Sequence, residues 1–119
     1  MATNETQGSL KLQQIRDSVL EQWEQFQTKN GMTLSAPYVS YSAAIEAADP
    51  EESSPEQYGL TWTEGIPHRQ TIRAYISEDR ILISDPFGPL FAQSYSIENL
   101  STALDVLFTA IHERTHTSQ

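Results

Sequence analysis

The stretch Thr71–Ile111, TIRAYISEDRILISDPFGPLFAQSYSIENLSTALDVLFTAI, decides the fold. Its first half alternates apolar and polar residues with a period of two, the signature of half-buried strands. Its second half switches to apolar residues three and four apart, at Ile97, Leu100, Leu104, Leu107, Phe108 and Ile111, which share one helical face. With Glu78-Asp79 as a two-residue hairpin loop, Ile76 stands opposite Ile81, Ala74 opposite Ile83, and Ile72 opposite Asp85. Ile72, Ala74, Ile76, Ile81 and Ile83 then line one face. A slip of one residue would turn one of the two strands inside out, so the pattern specifies the register. The opposite face pairs Tyr75 with Leu82, Arg73 with Ser84 and Ser77 with Arg80. Asp85-Pro86-Phe87-Gly88-Pro89 reverses the chain, with Asp85 read as a turn initiator before proline. Leu90 to Tyr95 returns as a further strand, and Ser96 is the N-cap of the last helix.

Upstream, Ser9 stands at an N-cap position before Leu12, Ile15, Val19, Trp23 and Phe26, which again share one helical face with Leu20 beside them. Asn30-Gly31 closes this helix, because both residues tolerate the left-handed conformation. Met32 to Tyr41 leans toward strand, and Pro37 confines any strand there to a sheet edge. Ser42 to Ala48 has the composition of one or two helical turns. Tyr58 to Thr63 alternates as a short strand. The expected order is helix, four or five strands, helix. Two helices with apolar stripes need one surface to cover, and an antiparallel sheet supplies it. The fold class is α+β: a two-layer sandwich, with an antiparallel sheet of about 4–5 strands and the N-terminal and C-terminal helices packed on one face. The expected domain organisation is a disordered tail over 1–8, a single domain over 9–113 with an acidic loop at 46–57, and a frayed tail over 114–119.

A chain of 119 residues is long enough to bury a core without staples, and it contains no cysteine. That composition excludes disulfides, thiolate metal sites and cysteine nucleophiles. The first residues carry neither a basic nor an apolar region of a secretory signal, and no apolar run reaches the roughly 18 residues of a membrane span. The expectation is therefore a cytoplasmic protein without a membrane partner.

Sixteen acidic residues against seven basic ones leave a net charge of −9. Such a chain repels phosphate backbones, which excludes ordinary DNA or RNA binding. The excess has three readings: solubility, adaptation to salt, or a face for a basic partner. Glu46, Asp49, Glu51, Glu52 and Glu56 concentrate it in a proline- and serine-rich loop, read as solvated or as a docking loop. This loop lacks the alternating aspartates and closing glutamate of a calcium loop.

Catalytic motifs are scarce. There is no phosphate-binding glycine loop and no nucleophile elbow. His112-Glu113-Arg114-Thr115-His116 matches the HExxH pattern, in which two histidines on one helical face grip zinc and the glutamate activates water. Here the motif stands at the end of the last helix, with Arg114 beside the would-be metal. His112 and Arg114 also suit a helix C-terminus as cations. A third ligand would have to come from His68 or an upstream carboxylate.

The residues left without a structural assignment are Tyr75 and Leu82, on the face away from the helices, and Phe87 and Phe91, around the Gly88-Pro89 turn. These are the interface candidates. The expectation is an interaction module without catalysis or cofactor, of the adaptor, inhibitor, immunity or secretion-chaperone type. Small acidic secretion chaperones share this size and charge, but their order includes a middle helix that this chain lacks. The expected partner is a protein, basic by charge, or a second copy of the chain. Two alternatives are a nucleic-acid mimic that inhibits a DNA-handling enzyme, and a metal-dependent enzyme or accessory subunit using His112 and His116.

Overall fold

A computed structural model describes residues 8–45, 48, 55–66, 70–85 and 91–117, the side chains of Phe91, His116 and Thr117 excepted. Helix α1 spans Leu10–Asn30. It is followed by strands β1 (Tyr38–Ser42), β2 (Gln57–Trp62), β3 (Ile72–Ile76), β4 (Arg80–Asp85) and β5 (Phe91–Ser96). A 3-10 turn over Ile97–Asn99 then leads into helix α2 (Leu100–Thr117). The strands form one antiparallel sheet in sequence order, β1-β2-β3-β4-β5. Both helices cover one face of it, giving the two-layer α+β sandwich that the periodicities predict. No helix among the described residues is long and apolar enough to cross a membrane.

Local signals set the ends of α1. The Ser9 side chain accepts from the Leu12 amide at 3.1 Å, satisfying one of the amides that a helix start leaves unpaired. Gly31 adopts φ 67°, ψ 29°, and the Met32 amide returns to the Gln27 carbonyl at 2.8 Å, a left-handed closure that glycine adopts without steric cost. β1 begins directly after Pro37 and is an edge strand, as the missing amide of proline requires. Residues 42–45 are not helical, contrary to the expectation for Ser42 to Ala48. Ser42 instead pairs with Gln57 at the end of β1, because cross-strand bonding there outweighs a helical preference too short to sustain itself. Glu46 and Ala47 lie outside the described residues.

The hairpin has the expected register. Ile76 stands opposite Ile81, Ala74 opposite Ile83, Tyr75 opposite Leu82 and Arg73 opposite Ser84. Alternate residues therefore enter the core, and Ile72, Ala74, Ile76, Ile81 and Ile83 are all fully buried. They meet Ile15, Val19 and Trp23 from α1, and Leu104, Leu107, Phe108 and Ile111 from α2. Each such aliphatic side chain contributes roughly 1.5–3 kcal/mol by leaving water. Trp23 sits where the layers meet, with ring centroids 5.8 Å from Trp62 and 5.1 Å from Phe108.

The end of α2 differs from expectation. The helix continues to Thr117 and does not fray at 114. Arg114 is the reason. Its guanidinium turns inward, donates to Asp85 Oδ1 at 2.6 Å and to the Gln70 carbonyl at 2.7 Å, and ties the last turn of α2 to the sheet. Asp85 is fully buried, so the residue read as a turn initiator is half of a buried ion pair at the end of β4. At the other terminus, Gly8 belongs to the fold as well: its carbonyl accepts from the Gln13 side chain at 3.0 Å.

Candidate interaction surface

The register assigns every strand residue to one of two faces. On the side away from the helices, one row runs Ser40, Gly59, Tyr75, Leu82, Ser94 across the sheet. A second runs Tyr38, Thr61, Arg73, Ser84, Ala92, and Arg80 and Ser96 belong to a third. Most of these side chains are small. Tyr75 and Leu82 are half-buried, Tyr38 is 72% exposed, and Arg73 and Arg80 are exposed.

Tyr75 owes part of its position to Gly59, directly opposite on β2. A Cβ built on Gly59 would lie 3.6 Å from the Tyr75 ring and 3.0 Å from Ser40 Oγ. The tyrosine ring thus covers the glycine and supplies the apolar contact that this strand residue lacks.

No aspartate or glutamate occupies a strand position on this face, although the chain carries sixteen. Asp17, Glu21 and Glu24 are on α1, and Asp105 and Glu113 on α2. Glu98 is in the 3-10 turn that precedes α2, and Glu78 and Asp79 form the β3–β4 turn. Several carboxylates are engaged within the fold. Glu56 accepts from the Ser9 amide at 2.6 Å and from the Tyr41 hydroxyl at 3.3 Å. The Ser9 hydroxyl donates to Glu78. The start of α1 therefore faces two carboxylates, where the helix dipole favours negative charge. Burial, followed by the nearby Glu56 carboxylate and the hydrogen bond to it, raises the Tyr41 phenol above its ordinary value. Glu56 is thus a structural residue of the helix start. The other acidic-loop candidates, Glu46, Asp49, Glu51 and Glu52, lie outside the described residues. Nothing in the sequence links Ser9 to Glu56 or Glu78, which are 47 and 69 residues away.

Of the two aromatic candidates at the turn, Phe87 lies outside the described residues, and Phe91 opens β5 opposite Asp85. β5 is a free edge. The Ser77 amide donates to the Arg80 carbonyl and the Ile97 amide to the Asp79 carbonyl, which sets the alternation of backbone groups along β4 and β5. By that alternation Ala92, Ser94 and Ser96 turn their amides and carbonyls away from β4, toward the open edge. No charged residue or proline protects the strand.

At the C-terminal motif, the helix extends through His116, so the backbone holds the two histidines one turn apart. The rings of His112 and Phe26 meet at an interplanar angle of 78°, with centroids 6.2 Å apart. Arg114, between the histidines, is committed to Asp85. The side chain of His116, and all of His68, lie outside the described residues. Among the described residues, no three His, Asp or Glu side chains converge as metal ligands. A cleft of about 220 Å³ between the helices is lined by Gln22, Phe26, Lys29, Asp105 and Phe108, and gathers no set of groups suited to acid–base or nucleophilic chemistry. Comparison with protein-family models, with curated proteins and with solved structures returns no match.

Proposed function

We propose that this chain is a protein-interaction module that binds its partner on the face of the sheet away from the helices. One observation carries this reading. Both helices lie on one side, and the other side presents Tyr75 and Leu82 side by side on a flat ground of serine, threonine, glycine and alanine. Aromatic and aliphatic anchors amid small polar residues are the makings of an interface core. The remaining features of the chain fit a non-catalytic role of the adaptor, inhibitor, immunity or chaperone kind.

Placing a photo-crosslinking residue at Leu82 tests this in the native cell. A single protein should be trapped from position 82, and the same probe at Gln14 on the exposed side of α1 should not trap it. Trapping from Gln14 alone would move the partner to the helices and sink the reading.

The free edge of β5 favours a second reading, self-association by strand pairing. In a two-fold pairing centred on Ser94, Ala92 of one copy bonds Ser96 of the other, and every outward backbone group of the strand finds a partner. Light scattering should then report a dimer that Ser94→Pro converts to monomer, because proline there removes only an edge-facing amide. A monomer at high concentration in the unmodified chain sinks this reading.

A further inference from the structure

The net charge of the chain points to a basic partner, but the strand residues on the face away from the helices carry the opposite sign. Its only charged strand residues are Arg73 and Arg80, both exposed and neither ion-paired among the described residues. They stand at opposite ends of a diagonal whose centre is the Tyr75–Leu82 pair. Arg73 is opposite Ser84, which lies four residues from Arg80 along β4. Strand geometry therefore separates the two Cα atoms by roughly 14 Å. The surface is an apolar centre with a guanidinium at each end, on a face whose strand positions carry no aspartate or glutamate; among the turn residues, Asp79 accepts from the Ser77 hydroxyl at 3.0 Å. Guanidinium groups so placed favour carboxylates and repel cations, and like charges in juxtaposition are an effective means of rejecting the wrong partner.

We propose that this face recognises an acidic protein segment in which an apolar residue lies between two carboxylates, the apolar side chain seated on Tyr75 and Leu82 and the carboxylates on Arg73 and Arg80. In an extended segment, every second side chain points the same way, so the pattern acid-x-apolar-x-acid presents all three groups to the sheet. Four residues of extended chain span about 13–14 Å, which matches the arginine separation. The inference rests on reading this face as the interaction surface, and adds to it the charge and spacing of the partner.

The test is an NMR titration of the full chain with two capped peptides, one centred on Glu-Thr-Leu-Thr-Glu and one with lysine in place of both glutamates. The acidic peptide should move the amide signals of Arg73, Tyr75, Leu82 and Ser84 and bind less well as salt is added. Its affinity should fall about tenfold in the Arg73→Glu, Arg80→Glu double variant. Equal binding of both peptides on this face would overturn the acidic-partner proposal and leave the interaction surface standing. Shifts confined to the helices, or none at roughly millimolar acidic peptide, would also overturn it. The crosslinking experiment at Leu82 tests the surface itself without reference to charge, so the two failures are distinct.

Discussion

The two faces of the sheet are built from alternate residues of the same strands, and their chemistry is opposite. The face under the helices is largely apolar and buried, and it includes the buried pair Asp85–Arg114. The other face is mostly small and polar, with Tyr75 and Leu82 at its centre and, at its margins, two exposed arginines not ion-paired among the described residues. Ile83 and Leu82 are adjacent in sequence and equally apolar, yet Ile83 is fully buried and Leu82 half-buried. Hydrophobicity therefore does not identify the residues that hold this fold together; register does. The comparison also locates the charge. Among the described residues the exposed carboxylates stand on the helices, turns and connections, while the charged strand residues on the far side are Arg73 and Arg80.

The comparison is most sharply broken at Asp85. Asp85→Ala should cost about 3–5 kcal/mol in urea unfolding, because it takes the carboxylate away from the buried Arg114 guanidinium. Asp85→Leu combined with Arg114→Met should cost much less, since removing both charges also removes both desolvation penalties. A loss under about 1 kcal/mol in the single variant would mean that the pair is solvated and α2 ends earlier.

Next in size is the contrast between neighbours. Ile83→Ala should lower stability by about 2–5 kcal/mol through the cavity it opens. Leu82→Ala should lower it by about 1 kcal/mol or less. Similar losses at the two positions would mean that something covers the outer face.

A smaller effect belongs to the start of α1. Ser9→Ala removes both the cap of the Leu12 amide and the contact with Glu78, for an expected loss of about 1–2 kcal/mol by thermal or chemical unfolding. No measurable loss would show that the two carboxylates hold the helix start without it.

The smallest is a titration. Tyr41 has a raised phenol in the folded chain, so the stability it contributes is present below the ordinary tyrosine value near 10 and is lost as the pH rises through the raised folded value. Glu56→Gln removes the negative charge beside it and should bring Tyr41 ionisation, followed by phenolate absorbance, to lower pH. An unchanged profile would leave burial as the whole cause.

Much of this fold was legible because its signals are local or periodic. Ser9, Asn30 and Gly31 mark α1 with capping chemistry that operates within a few residues. The alternation through Ile72–Ile76 and Ile81–Ile83 fits only one register, and it placed Tyr75 and Leu82 on the outer face as expected. The end of α2 was misread because apolar periodicity stops at Ile111. Arg114 is polar in sequence, and only its approach to Asp85 makes it a core residue. Glu56 was grouped with a solvated loop for the same reason: its partners, Ser9 and Tyr41, come from other elements.

The candidate surface divides in the same way. Its apolar pair follows from strand period alone, but its charge does not. Arg73 and Arg80 are unremarkable in a chain with nine more acids than bases, until the sheet sets them on a face whose strand positions carry no aspartate or glutamate. Sequence by itself determined the elements, the register and which residues face the helices, because helical and strand periods translate directly into faces. Only the tertiary structure decided which charges are neutralised in the interior, which stand alone at the surface, and what sign the open face presents. Charge pairing is a property of distance in space, and hydrophobic periodicity carries no record of it.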